Sequence, residues 1–223
     1  MKHKTIRLPI FFFFGWIAVS YLLLPVILRL VIRHPALSET PQFSLTVTGL
    51  HGDPINICLI GTEADIQKAM LAAKWFPADP LTLKSSLRIS ADVIFHRAYD
   101  TAPVSSLYLW GRKQDLAFEQ PHGKDPSRRH HVRFWKSDKV DMDGLPLWAG
   151  SATFDTCVGF SHTTGQITHH IAPDVDAERD KLIFDLNLPI QWIENFQDHL
   201  QGHHGGGDLY HTDGRLPIVV LLQ

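Results

Sequence analysis

The order of apolar and polar residues predicts two strands and then a helix at the start of the folded region. Residues 43–49 (FSLTVTG) alternate as a half-buried strand does, and residues 54–61 (PINICLIG) give a second strand pattern. The segment TEADIQKAMLAAKW then has apolar residues at helical spacing, with Thr62 as its N-cap. A further helix is predicted over residues 81–99, where apolar residues again recur at roughly helical spacing.

The middle of the chain has a different pattern. Between residues 105 and 171, short strand patterns alternate with Gly, Pro, Asp or Lys. A helix is predicted to begin at Asp174 or Asp176, because acidic residues in a first turn are favoured by the helix dipole. The last strand pattern is LPIVVLLQ, residues 216–223. The sequence therefore predicts an α+β fold class, a mostly antiparallel sheet with a few packed helices.

The first residues form a separate apolar segment. Leu8 to Leu28 run without a charge for about the 20 residues that a membrane-spanning helix needs. The run is longer than the apolar core of a signal peptide and ends in RLVIRHP, not in a small-residue cleavage motif. We therefore predict an uncleaved membrane anchor within residues 1–34 and a folded α+β domain over residues 35–223.

The charges on either side of this segment predict its orientation. Lys2, Lys4, Arg7 and the terminal amine precede the span, whereas Arg29 and Arg33 follow it. Positive charge is enriched on the cytoplasmic side of membrane proteins. The sequence therefore predicts a single-pass protein of the cytoplasmic (inner) membrane, with the lipid bilayer around its N-terminal helix and the domain on the periplasmic or extracytoplasmic side.

Overall charge and cysteine content narrow the function further. The formal net charge of -2 disfavours nucleic acid as a partner. The two cysteines, Cys58 and Cys157, both lie in apolar strand patterns, where one disulfide and two free thiols are alternative outcomes.

The stretch RRHHVRFW contains a candidate anion site. Side chains alternate along a strand, so Arg129, His131 and Arg133 should share one face, while Val132 marks the core face. Two guanidinium groups with an imidazole between them suit a phosphate or a carboxylate. The alternative is a solvated strand face. Arg112 is predicted to join the ligand-binding set from a neighbouring strand.

The stretch GFSHTTGQITHHIAPDVDAERD holds candidate metal ligands. His162, His170 and Asp174 are the trio that could hold a divalent metal, although no zinc-site spacing motif is present. No other cofactor is indicated. Ser161 lacks the second glycine of a G-x-S-x-G nucleophile elbow, which argues against a serine hydrolase.

Strand alternation separates the two histidines of THHI. His169 and His170 should point to opposite faces, so they should have different roles. If the intervening hairpin contains no bulge, His170 is the one that shares a surface with His162 and with the Arg129, His131 and Arg133 face. One bulge would reverse this assignment.

The chain resembles the LssY C-terminal-like domain family of bacterial membrane-associated proteins, from about Gly61 to Asp180. The motifs that carry the resemblance are TAPVSSLYLWGRKQDLAFEQP, RRHHVRFW, ATFD and GFSHTTGQITHHIAPDVDAERD, and the terminal TDGRLPIVVLL is also similar. The resemblance implies a domain without an established reaction that often accompanies polytopic modules resembling lipid phosphatases or DedA-type proteins. A polytopic membrane-protein partner is therefore a further expectation.

The lipid-phosphatase motif S-R-x5-H-x3-D is not complete in this chain. Ser127 and Arg128 are followed by Phe134 at the histidine position, although Asp138 is in register. Phosphatase activity is therefore not inferred from the resemblance.

Two hypotheses about function follow. The first is a membrane-anchored envelope domain that binds an anionic ligand or partner near the membrane. The second is a hydrolase of a phosphorylated or acylated envelope lipid, with assistance from a metal as an option. A catalytic site would require the candidate residues and Asp155 to converge in one cleft, whereas a binding face would not.

Overall fold

The chain forms two compact units, Met1–Glu39 and Thr40–Gln223. The computed structural model describes residues 7–23, 37, 39–78, 106–123, 125, 127–165 and 167–221. The predicted helix over residues 81–99 lies outside the described residues.

The first unit contains α1 (Arg7–Ala18), which continues as a π-helix over Val19–Leu23. None of the helices in the described part of the chain has the length and apolar character that crossing a membrane requires. Residues 24–28, the end of the predicted span, lie outside the described residues. The membrane anchor therefore stays a prediction.

In its described residues the second unit contains strands and two helices, α2 (Glu63–Ala72) and α3 (Val175–Leu186). Its described strands are β1 (Phe43–Leu45), β2 (His51–Pro54), β3 (Ile57–Ile60), β4 (Phe76–Pro77), β5 (Tyr108–Leu109), β6 (Arg112–Lys113), β7 (Leu116–Pro121), β8 (Arg129–Val140), β9 (Pro146–Phe160), β10 (Ile167–Ile171), β11 (Ile190–Ile193), β12 (Gln201–His203), β13 (Leu209–His211) and β14 (Leu216–Val220).

The main sheet has eight strands in the order β11-β14-β3-β9-β8-β7-β4, and β10 pairs with the second half of β9. Among its described pairs, β3 with β14 is parallel and the others are antiparallel. A smaller sheet has the order β2-β1-β5-β6, and β12 forms a hairpin with β13. The predicted α+β class with mostly antiparallel pairing is confirmed.

The helices cover one face of the main sheet because their apolar sides meet the apolar face of the central strands. Ile66 and Met70 of α2 and Leu182 of α3 are buried in one cluster with Val132 and Phe134 of β8. Burying side chains of this size stabilises a fold by about 1.5–3 kcal/mol each. Val132 and Phe134 therefore lie on the core face, as predicted.

Both predicted helix starts are confirmed. The Thr62 hydroxyl accepts a hydrogen bond from the Asp65 amide, and the Asp65 carboxylate accepts one from the Thr62 amide, which completes a capping box. Asp174 caps α3 by accepting hydrogen bonds from the amides of Asp176 and Ala177. Local side-chain chemistry therefore fixes where each helix begins.

The two cysteines are free thiols in different environments. Cys58 lies buried in β3, and Cys157 is exposed in β9. Burial raises the pKa of the Cys58 thiol well above its usual range, so this side chain behaves as an apolar core residue.

Candidate functional site

The face of β8 turned away from the helices carries Arg129, His131 and Arg133, which we call the arginine face. Its three residues are only 4%, 3% and 4% exposed, respectively. The next residue in the row, Trp135, is fully buried beside them. The alternative of a solvated strand face is therefore wrong.

Asp155 of β9 is the centre of the ionic contacts of this face. Its carboxylate lies 3.0 Å from Arg129 Nε, 3.2 Å from His131 Nδ1 and 3.2 Å from His169 Nδ1. Asp155 and Arg129 are direct cross-strand partners, so they point to the same face of the sheet. The side chain of Asp155 is 2% exposed, which means that these contacts form away from water.

Two further carboxylates pair with the same face. Asp53 of β2 accepts a hydrogen bond of 2.7 Å from Arg133, and Glu119 of β7 accepts one of 3.0 Å from Arg129. The Thr153 hydroxyl lies between His131 and Asp53. It is 2.6 Å from an imidazole nitrogen of His131 and donates to Asp53 over 3.5 Å. We call the whole set the buried ion network; its members are Asp53, Glu119, Arg129, His131, Arg133, Thr153, Asp155 and His169.

The pKa shifts agree with this pairing. Burial alone would raise the pKa of Asp53, but Arg133 and His131 lower it to about 2. Burial also opposes ionisation of Asp155, yet the pKa of this carboxyl lies well below its usual range because His131, His169 and Arg129 surround it. Both acids are therefore ionised at neutral pH.

The two histidines of the network respond in opposite directions. Burial would lower the pKa of His131, but its carboxylate neighbours Asp155 and Asp53 raise it. For His169, burial dominates and lowers the pKa to about 4, so the ring is neutral at neutral pH. The network thus opposes two guanidinium groups and one readily protonated imidazole with three carboxylates, which leaves its cations compensated.

A bulge decides which histidine of THHI joins the network. His170 lies opposite Cys157 but Ile171 lies opposite Asp155, so no residue of β10 lies opposite Thr156 in the strand register. This extra residue in β9 reverses the alternation. His169, not His170, therefore lies on the arginine face, which differs from the assignment made for an unbulged hairpin.

His170 instead belongs to a second group of polar side chains on the opposite face of β10. Its imidazole Nδ1 lies 2.7 Å from the Asp208 carboxylate, and its ring centroid is 5.2 Å from that of His162. His162 Nε2 lies 3.7 Å from the same carboxylate oxygen. The structure thus brings His162 and His170 together, as the sequence parity suggested.

A fourth side chain, His204, lies beside Asp208. His204 Nδ1 accepts a hydrogen bond of 2.7 Å from the Gly206 amide, so the neutral ring carries its proton on Nε2. That nitrogen lies 3.3 Å from Asp208, and the Ile171 amide donates to the same oxygen over 3.2 Å. We call His162, His170, Asp208 and His204 the histidine cluster.

Two glycines give the histidines of this cluster their space. A Cβ at Gly159 would lie 2.7 Å from His170 Nε2, and a Cβ at Gly207 would lie 2.7 Å from the Cβ of His162. Gly207 also has a φ of +90°, which side-chain-bearing residues rarely adopt. The His162 amide donates to the Gly206 carbonyl over 2.9 Å, so the two turns are joined directly.

The histidine cluster has the dimensions of a metal site. Ligand atoms of His162, His170 and Asp208 all lie within 4.8 Å of one another. In a tetrahedral site with bonds of about 2.0–2.1 Å, ligand atoms stand roughly 3.3 Å apart. A small shift of His170 away from Asp208 and a small shift of His162 toward Asp208 would give that spacing. The proton between His170 and Asp208 would be lost.

The remaining predicted ligands lie elsewhere. Asp174 is the N-cap of α3, and its carboxylate is 3.9 Å from His211, so Asp208 stands where Asp174 was expected. Arg112 pairs with Asp115 and with the Lys136 carbonyl. It contributes neither to the buried ion network nor to the histidine cluster.

The two groups of side chains are adjacent but distinct. His204 of the histidine cluster is close enough to Asp53 to help lower the pKa of that carboxyl. Sequence reasoning missed Asp53, Glu119, His204 and Asp208. For the last two, the signal was the stretch HHGGGD, in which glycines between polar ligands leave room for neighbouring side chains.

Comparison with known proteins gives one match. The family model described as LssY C-terminus covers residues 37–216, which include the described residues of both groups of side chains. Neither the curated proteins nor the solved structures contain a significant match. The resemblance inferred from the sequence motifs is confirmed, and the chain therefore belongs to the LssY C-terminus family.

Proposed function

We propose that this domain binds a divalent transition-metal ion at His162, His170 and Asp208, and through that ion an anionic group of an envelope ligand. The observation that carries the proposal is the convergence of two imidazoles and one carboxylate within 4.8 Å. The Ile171 amide supports it, because its hydrogen bond to the other oxygen of Asp208 orients that carboxylate.

The ligand set favours zinc or a similar ion. Imidazole and carboxylate are common ligands of Zn²⁺, and three protein ligands leave a fourth position for water or for an oxygen of a ligand. The side chain of His162 is 69% exposed, which provides access from solvent. A bound ion would supply a Lewis-acidic contact for a phosphate or carboxylate oxygen.

Binding of an anion through a metal ion at the histidine cluster has more support than direct binding of an anion at the arginine face. Arg129 and Arg133 each contact carboxylates whose side chains are no more than 9% exposed. An incoming anion would have to displace those carboxylates, and breaking a buried ion pair costs about 3–5 kcal/mol. In the histidine cluster the contact that has to open joins His170 and Asp208, whose side chains are 15% and 13% exposed, and both would remain bound to the ion.

We also propose that residues 1–34 anchor the protein in the cytoplasmic membrane, with the domain on the outer side. The described apolar side chains of α1 and the π-helix are largely exposed, including Phe12, Phe14 and Trp16, as expected of a helix in lipid. A periplasmic reporter fused after Gln223 should be active. A fusion active only with a cytoplasmic reporter would contradict this orientation. The polytopic membrane partner is proposed on the family resemblance alone.

The second candidate function is hydrolysis of a phosphorylated or acylated envelope lipid at the same site. The open coordination position favours it, since Zn²⁺ lowers the pKa of bound water to about 7. Turnover of a phosphoester by the zinc-loaded protein, lost in Asp208→Ala, would select this function over binding alone.

The metal proposal is tested by Zn²⁺ titration of the full-length protein in detergent, purified without a polyhistidine tag. His162→Ala and Asp208→Ala should each lower the number of bound Zn²⁺ ions by one. The matched control is His199→Ala, which removes an exposed histidine outside the cluster. Phosphate should bind to the wild type only when Zn²⁺ is present. An unchanged zinc stoichiometry in His162→Ala would overturn the proposal.

A further inference from the structure

A third group of polar side chains leads from the surface to the helix side of the sheet. His122 follows β7 and is exposed, His130 lies in β8, and Glu178 lies in the first turn of α3. None of them belongs to the buried ion network or to the histidine cluster. His130 and Glu178 are buried, with side chains 10% and 4% exposed.

Glu178 fixes the tautomer of His130. The Glu178 carboxylate lies 2.7 Å from His130 Nδ1, which donates its proton to it. Burial raises the pKa of Glu178, and the hydrogen bond from His130 opposes that rise. With the proton held on Nδ1, the lone pair of His130 is on Nε2.

That lone pair faces a second imidazole. His130 Nε2 lies 3.2 Å from His122 Nδ1, the spacing of two ligand atoms on one tetrahedral ion, which is roughly 3.3 Å. An ion would replace the proton between the two nitrogens without a change in their distance.

The rings are held in place by aromatic packing. Phe154 of β9 lies 4.7 Å from the His130 ring and 5.2 Å from the His122 ring, measured between centroids. Trp75 also packs near His130, with ring centroids 6.2 Å apart. A ligand pair fixed in this way loses little side-chain entropy when an ion binds.

We propose that His122 Nδ1 and His130 Nε2 form a second site for a divalent transition-metal ion, with Glu178 as the outer carboxylate of His130. A carboxylate on the far nitrogen of a ligating histidine is the usual support of a metal-bound imidazole. The site shares no residue with His162, His170 or Asp208, so it stands independently of the proposed function.

The donor atoms select the class of ion. Hard ions such as Mg²⁺ and Ca²⁺ depend on anionic oxygen ligands, which the two imidazoles do not offer. Zn²⁺ and its neighbours bind to neutral imidazole nitrogens and therefore fit the pair. The positive charge of Lys181 is paired with Asp185 at 2.5 Å, which lessens its repulsion of a bound ion.

The alternative is a hydrogen bond in which His122 Nδ1 donates to His130 Nε2, and Zn²⁺ titration distinguishes the two. The titration uses the full-length protein in detergent with the His162→Ala substitution as background. In that background we expect one remaining Zn²⁺ ion, and adding His122→Ala should remove it, whereas adding His199→Ala should not. Because His122 is exposed, its loss should leave the fold intact.

Glu178→Gln provides a second measurement. Gln retains a hydrogen-bond acceptor for His130 but loses the negative charge, so zinc affinity at this site should fall about tenfold or more. Zinc binding that is the same with and without His122→Ala would overturn the second site. The proposed function is judged separately, by whether His162→Ala in the otherwise wild-type protein loses one ion.

Discussion

His169 and His170 are neighbours on β10 but belong to two different groups of side chains. Both groups pair imidazoles with carboxylates, one in a closed arrangement and the other in an open one. His169 joins the buried ion network, where its Nδ1 lies 3.2 Å from Asp155 and its Nε2 lies 3.5 Å from Arg129. His170 joins the histidine cluster, where one carboxylate serves several imidazoles and His162 is 69% exposed. In the first group each cation has its own buried carboxylate. In the second group imidazole nitrogens outnumber carboxylate oxygens next to solvent.

The difference shows that residue type does not separate a structural ion cluster from a binding site. Burial and charge compensation do so. A compensated network resists any incoming ligand, because its own pairs would have to break first. An open cluster with spare lone pairs can accept an ion at little structural cost. We therefore expect substitutions in the buried ion network to lower stability strongly without loss of bound metal. Substitutions in the histidine cluster should lose bound metal with little effect on stability.

The largest effect is expected from Asp155→Asn. This change removes the negative charge between Arg129, His131 and His169, so the free energy of unfolding should fall by about 3–5 kcal/mol. Its counterpart, Asp208→Asn, should cost about 1 kcal/mol and abolish zinc binding at the cluster. Urea denaturation and zinc titration measure both quantities. Equal destabilisation by the two substitutions would contradict the distinction.

The next effect separates a buried arginine from an exposed one. Arg133→Met leaves the buried Asp53 carboxylate without its 2.7 Å partner and should cost about 3 kcal/mol. Arg112→Met breaks a pair in which the arginine side chain is 40% exposed, and it should cost no more than about 1 kcal/mol. Denaturant midpoints compare the two directly. A costly Arg112→Met would show that exposure does not set the scale here.

Alanine substitutions at His169 and His170 should separate stability from binding. His169→Ala leaves buried groups of Asp155 and Arg129 without this contact, which should lower stability by about 1–3 kcal/mol with zinc stoichiometry unchanged. His170→Ala should change stability less and lose one zinc ion. If both variants unfold at the same denaturant concentration and bind the same amount of zinc, the two histidines have the same role.

A pair of glycines sharpens the account of the cluster. Gly207→Ala forces a side chain into a φ of +90° and against His162, so it should cost about 1–2 kcal/mol and weaken zinc binding about tenfold or more. Gly144 has a similar φ of +78° but open space around it. Gly144→Ala should therefore cost the same backbone strain and leave zinc affinity unchanged. A loss of affinity in Gly144→Ala would remove the steric explanation.

The smallest effect is a pH dependence from His131. The folded pKa of His131 is raised above its unfolded value of about 6.5, so its contribution to stability is complete below that pH and declines as pH rises through the folded pKa. Unfolding of the metal-free wild type at about pH 6, 7.5 and 9 should show this decline. His131→Gln should flatten it, whereas His199→Gln should not.

The sequence determined the local features of this protein. Thr62 and Asp174 begin their helices because each side chain accepts hydrogen bonds from amides two or three residues later, a purely local interaction. Alternation likewise put Arg129, His131 and Arg133 on one face of β8, since successive side chains of a strand point to opposite sides. The family motifs, which are continuous stretches of sequence, were identified on the same basis.

Tertiary structure decided whether those faces are closed or open. Asp53 reaches Arg133 from 80 residues away and converts an apparent anion site into a compensated network. Asp208 reaches His170 from 38 residues away and replaces Asp174 as the shared carboxylate. The bulge at Thr156 placed His169, not His170, on the arginine face. Strand register and long-range partners depend on how distant segments pack, and neither the spacing nor the composition of a local stretch encodes that packing.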